Sequence, residues 1–269
     1  MHMLLAAGMA ATFASARAEE GTGGDAARLG VLVRAVRAAD YRGERAELRR
    51  LAGELDAVGS PDLAASASYW KGFALWRRTI NGFNETPMPP DLRADLEGAV
   101  KSFRGALVRR PDWVEPKIGI SGCLMSLLFL AREDAAWRQE LVDQFRPLWV
   151  ETTAQGADNP RMLWLLGGMQ FGAPPPWGGD AAKAIATLRK GLEAARREAL
   201  GSPQGAAVAP DWGAAENLMS LAYVHSRGSA ESKAVARAYA EGALAVAPDW
   251  HYVRDILLVQ IDALPELPR

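Results

Sequence analysis

The stretches Phe103-Arg-Gly-Ala-Leu-Val-Arg-Arg-Pro-Asp-Trp113 and Ala240-Glu-Gly-Ala-Leu-Ala-Val-Ala-Pro-Asp-Trp250 end two helical tails of similar design with the same three residues. A third copy, Pro210-Asp211-Trp212, follows a loop rich in glycine and proline. Each copy precedes another segment of helical periodicity, and punctuation repeated in this way marks an array of stacked helix hairpins. Proline stops one helix, aspartate suits the start of the next, and tryptophan is large enough to seal the seam between hairpins.

Outward from these triplets, apolar positions recur at spacings of three and four rather than two, and alanine outweighs the β-branched residues. That pattern predicts an all-α chain. The expected pairs are 26–40 with 44–58, 63–80 with 91–110, 112–131 with 133–153, 161–171 with 180–200, and 211–227 with 231–247, closed by 250–263. Ser60-Pro61-Asp62 and Asn159-Pro160 read as helix starts, with a capping side chain before a proline at the first helical position. Two proline-rich loops, 81–90 and 172–179, interrupt the array, and such loops are common binding elements on one face of a repeat protein.

The 269 residues carry 31 Lys and Arg against 32 Asp and Glu, so the general attraction to nucleic acid is missing. Cys123 is the sole cysteine, which excludes an intramolecular disulfide and a cysteine-based metal site; its apolar surroundings predict a buried thiol. Three histidines are too few and too scattered for a metal centre, and no His-Glu-x-x-His, Gly-x-Ser-x-Gly, Walker or dinucleotide pattern occurs. No catalytic, cofactor or metal residues are assigned. Residues 1–18 read as a secretory signal ending in Ala16-Arg17-Ala18, 19–25 as a flexible leader, and 26–269 as the helical domain. Export to the periplasm or beyond is the expectation, with no integral membrane segment after cleavage.

The second helix of each pair carries a family likeness. Ala99-x-x-x-Phe103-x-x-Ala106-Leu107 followed by Pro111 resembles the second half of a tetratricopeptide repeat, and the segments at Ala184 to Leu192 and Ala236 to Leu244 look like weaker copies. The first helices match in part, through Leu163, Leu166 and Gly167 and through Leu218 to Tyr223; the likeness is thin before Gly59. It implies a right-handed α-α superhelix of about five hairpins plus a C-terminal capping helix, of the exported bacterial type, with a concave groove lined by first helices. In that register Tyr69, Phe73, Trp76, Arg77, Trp164, Asn217 and His225 would face the groove, with Trp177 in one of the bordering proline loops.

Aromatic side chains beside an arginine suit a peptide, a carboxylate or a glycan. The resemblance therefore implies a non-enzymatic interaction scaffold of the cell envelope that binds a peptide or partner protein. The alternatives are a periplasmic ligand-binding component resembling the repeat-protein partners of TRAP transporters, which predicts an enclosed pocket, and an envelope hydrolase, which needs paired carboxylates in one cavity.

Overall fold

The computed structural model describes residues 24–201, 208–227 and 232–265. Among them are eleven α-helices and no strand. The expected signal segment lies outside the described residues. Helix α1 covers 24–41 and begins inside the expected leader, α2 is Arg45–Glu54, α3 Ala64–Gly82, α4 Leu92–Arg109, α5 Val114–Leu130 and α6 Ala135–Gln155. The remainder are α7 Pro160–Gly172, α8 Ala181–Gly201, α9 Ala214–Ser226, α10 Ser232–Val246 and α11 Leu258–Asp262, the last continuing from a π-helical turn, Tyr252–Leu257. Consecutive helices pack as hairpins, with α3 on α4, α7 on α8 and α9 on α10 most extensively. The first helices α3, α5, α7 and α9 also touch one another in order.

Small residues set how closely the helices approach. Phe103 on α4 is fully buried, and a Cβ built on Gly72 or Gly119 would stand 2.8 or 2.4 Å from its ring, so α3 and α5 close over the aromatic from either side. Gly167 likewise admits Leu188 of α8. On α10 the stripe Ala236, Ala240 and Ala243 is wholly buried, as spacing of three and four requires.

The first and last triplets are turns. Trp113 N–H donates to Arg110 O and Trp250 N–H to Ala247 O, both at 3.1 Å, which puts proline and aspartate at the two central turn positions. The expectation that aspartate caps the next helix is corrected: Trp113 occupies the N-cap position of α5 and Gly213 that of α9. Asn159 does cap α7, accepting from Arg161 N and Met162 N, whereas Ser60 makes no cap bond. The tryptophans fill the seams as expected. Trp212 and Trp250 are buried, and Trp113 packs 5.0 Å from the Tyr69 ring.

The first hairpin reaches the last elements. Arg37 pairs with Asp211, Tyr41 Oη donates to Glu216 Oε1 at 3.1 Å, and the Tyr41 ring lies 5.1 Å from Trp250. Near the loop 83–91, Arg45 and Arg78 bind Asp91, and Arg78 also binds the buried Asp95, joining α2, α3 and α4. Partial burial works against the Asp91 charge, but hydrogen bonds from Arg78 and Arg45 outweigh it and lower its pKa to about 2.

Two consequences can be measured. Gly119→Ala should lower the unfolding free energy by about 1–3 kcal/mol through overpacking against Phe103, while Gly53→Ala, where a Cβ meets nothing within 4 Å, should raise it by about 0.5–1 kcal/mol. Equal effects in urea titrations would contradict the packing account. Because the folded pKa of Asp91 is depressed, its contribution is complete above the ordinary value of 3.8 and is lost as pH falls toward about 2. Asp91→Asn should therefore flatten the stability loss across that window.

Candidate functional site

The first helices bound a cavity of about 410 Å³. Helix α3 supplies Trp76, Arg77, Ile80 and Asn81, with Phe83 and Asn84 just after its end; α5 supplies Gly122, Met125 and Ser126. The opposite side is Trp164, Leu165 and Gly168 on α7 and Met219, Ser220 and Tyr223 on α9, closed by Trp250 and Tyr252. Each first helix thus contributes positions three or four apart, the spacing of one helical face.

Glycine has two opposite uses in this wall. At Gly122 a Cβ would stand 2.3 Å from Trp76 Cζ2, so the glycine lets the indole lie against α5. At Gly168 a Cβ would meet nothing within 4 Å, so its missing side chain leaves open space. The wall hydroxyls of the two serines are engaged: Trp164 Nε1 donates to Ser220 Oγ at 2.9 Å, and Ser126 Oγ donates to Gly122 O at 3.0 Å.

Arg77 is 2% exposed and its Nε donates to Asp40 Oδ2 at 2.7 Å, a pair buried on both sides. Asn81 Nδ2 holds the other carboxylate oxygen at 3.2 Å and the Asp40 carbonyl at 3.1 Å. Burial pushes the Asp40 carboxyl up from its usual range, and Arg77 offsets part of that. Burial also disfavours the Arg77 charge, yet the carboxylates of Asp40 and Glu216 hold its pKa above the ordinary value. The guanidinium lies 5.8 Å from the rings of both Phe73 and Trp164. Its Nη1 and the Nε1 of Trp76 are buried without a hydrogen-bond partner among the described residues.

A second space, also about 410 Å³, adjoins the first and shares Ile80, Phe83, Met125 and Ser126 with it. It carries the apolar lining outward to Met88, 43% exposed, and Phe129, 51% exposed, with Phe83 and Phe129 in edge contact at 5.5 Å. Met88 belongs to the first proline loop, which therefore borders the mouth. No described side chain of the second lines the cavity; its backbone forms the turn Pro175–Trp177, and the Trp177 side chain lies outside what is described.

Of the residues expected in the groove, Trp76, Arg77 and Trp164 line the cavity. Four others do not. Tyr69 and Phe73 are core: Trp212 Nε1 donates to Tyr69 Oη at 3.0 Å, and Phe73 packs 5.3 Å from the Trp212 ring. Asn217 turns into its hairpin neighbours, donating to Pro160 O at 3.0 Å and abutting Gly191. His225 stacks on Tyr239 of α10 at 5.6 Å, and burial lowers its pKa. The resemblance placed the inward face one turn too early on α3 and on the wrong side of α9. Ile80, Phe83, Met125, Met219, Tyr223 and Tyr252 were missed; continuing the spacing Trp76, Ile80, Phe83 along α3 would have found the first two.

Cys123 is fully buried, and burial pushes its thiol pKa well up. Among the described residues no group of three or more His, Cys, Asp or Glu is gathered as metal ligands, and no helix is long and apolar enough to cross a membrane. Comparisons with protein-family models, curated proteins and solved structures returned no match.

Removing Asp40 strands the Arg77 charge in the interior. Asp40→Ala should cost about 3–5 kcal/mol of unfolding free energy, and Asp40→Ala/Arg77→Met should recover much of it. A double variant no more stable than the single would remove the pair from the account.

Proposed function

We propose that this chain is an exported, non-enzymatic binding protein, built as a right-handed tetratricopeptide-like superhelix, that holds a small, mainly apolar molecule in the cavity between its first helices. The observation that carries the reading is the cavity itself, bounded by α3, α5, α7, α9 and the C-terminal helix. Its volume lies in the range of small-molecule sites, roughly 300–1,000 Å³, and its wall of aromatic and thioether side chains with few polar groups is of the usual kind. Contacts from α1 to Asp211, Glu216 and Trp250 favour a partly enclosed site over an open groove.

The non-enzymatic reading is supported by the wall chemistry. Among the described lining residues there is no carboxylate, imidazole or thiol, and the two serine hydroxyls have no base beside them. The hydrolase reading needs two carboxylates at the cavity and has none to draw on there. A partner-protein scaffold remains the second reading, favoured by Met88 and Phe129 exposed at the mouth, where a partner's apolar side chain could anchor.

Gly168→Leu fills the space with little steric cost, since nothing lies within 4 Å of its Cβ direction. The neutral fluorophore N-phenyl-1-naphthylamine should bind the wild-type chain and bind Gly168→Leu at least about tenfold more weakly, the loss expected when a well-packed site is blocked. The variant should melt no lower than wild type, because leucine is the better helix former by about 1 kcal/mol. Unchanged probe affinity would sink the cavity as the binding site.

A further inference from the structure

We infer that the cavity takes an amphipathic carboxylate, its apolar body held among the first helices and its anionic end bound by Arg227 with the hydroxyls of Tyr223 and Tyr252. The inference rests on the cavity-binding reading above and names the chemistry of the occupant. It starts from the end of the wall formed by Tyr223 of α9 and by Tyr252. Both tyrosines are half-buried. Neither hydroxyl has a hydrogen-bond partner among the described residues, and neither is one of the unpaired polar atoms sealed from solvent, so both are reachable and unspent. Burial pushes the Tyr252 pKa up; Tyr223 adds to that shift and Arg227 opposes it, while no carboxylate acts on the group. The Tyr252 hydroxyl is thus set inside the protein with Tyr223 and Arg227 close by, on a residue that lines the cavity. Tyr252 also opens the π-helical turn Tyr252–Leu257, a rare backbone form that recurs at functional sites.

Arg227 stands one residue beyond α9. A cation there is favoured by the helix dipole in any case, but the dipole does not decide where the side chain goes. Its guanidinium lies over the Tyr223 ring, 5.0 Å from the centroid, and makes no ion pair or hydrogen bond with a described residue. The residue is exposed, so an anion can reach it without shedding all of its water. Two other arginines near the cavity are already paired. Arg77 binds the buried Asp40 at 2.7 Å, and Arg132, stacked on Phe129, faces Glu133 at 3.6 Å. A carboxylate beside Arg227 can accept from the guanidinium and from both phenols, and such charge-assisted hydrogen bonds are roughly twice as strong as neutral ones. An ammonium ligand would be repelled by Arg227, and an uncharged one would leave that charge unmet. The apolar body then lies among Met219, Trp164, Met125 and Ile80.

The test displaces N-phenyl-1-naphthylamine from the full chain at pH 7.5 with 4-phenylbutanoate, 4-phenylbutan-1-ol and 4-phenylbutylammonium. The carboxylate should compete at least about tenfold more strongly than the ammonium and about fivefold more strongly than the alcohol. Arg227→Gln should weaken the carboxylate about tenfold and the alcohol less than about twofold. Tyr252→Phe keeps the ring, removes one donor and should weaken the carboxylate about fivefold. Arg132→Gln removes an equal charge at Phe129 and should leave the carboxylate within about twofold, because that charge is already paired. An ammonium that competes as well as the carboxylate, or a carboxylate-to-alcohol ratio that Arg227→Gln moves no more than Arg132→Gln does, overturns the head-group assignment while leaving the cavity reading in place. A probe that fails to bind wild type, or binds Gly168→Leu equally, overturns the cavity reading and this inference with it.

Discussion

The seating of Trp212 between α3 and α7 is the constraint on which the rest of the interior depends. Its ring packs 5.3 Å from Phe73, 6.0 Å from Trp76 and 5.7 Å from Trp164, and its Nε1 is tied to Tyr69 Oη. One side chain at position 212 thereby joins the second hairpin to the fourth. Aromatic pairs in such geometry add about 0.5–1.5 kcal/mol each beyond the area they bury. Packed against Phe73 and bonded to Tyr69, Trp212 makes both part of the core. The cavity lies beside this cluster, with Trp76 and Trp164 shared between the two.

Buried charge holds Trp212 in register. Arg161 Nη1 donates to the Trp212 carbonyl at 2.9 Å, while its Nε and Nη2 reach Glu115 Oε1 at 3.0 and 2.7 Å. Asn159, which caps the same helix, binds that oxygen as well. Burial pushes the Glu115 carboxyl up, opposed in part by Arg161, so the pair adds less to stability than its short contacts suggest. Its effect is geometric, since it fixes where the chain carrying Trp212 crosses α7. Asp40 and Arg77 do the same for α1 and α3 on the other side of the cavity. Two costly ion pairs flank one aromatic cluster, and breaking either leaves an uncompensated charge against it.

The helices were legible in the sequence because their boundaries rest on local chemistry. Proline at 111 and 248, the Asn159-Pro160 start and the spacing of Ala99, Phe103 and Ala106 act within a few residues, and the helices end where these signals stand. Partner choice was not local. Nothing near Tyr69 announces Trp212, 143 residues away, and nothing near His225 decides between a groove and the Tyr239 ring. Trp76, Arg77 and Trp164 were found because bulk and charge on a first helix are visible. Gly122, Ser126, Gly168 and Ser220 were not, since a small residue reads as tight packing unless its surroundings are known.

Gly167 and Gly168 show what that ambiguity conceals. The first admits Leu188, whose Cδ2 would lie 2.6 Å from an added Cβ, and a larger residue there would force α7 from α8. The second faces open space, where leucine or alanine would improve helix propensity by about 1 kcal/mol. Packing therefore explains one glycine and leaves the other as a stability cost in mid-helix. The neighbouring wall carries an indole held against α5 by Gly122. Gly122 is thus explained by packing and Gly168 is not, although both border one cavity. A glycine in mid-helix that no neighbour requires costs stability without improving packing, which is the kind of local inconsistency that marks positions set by something other than the fold.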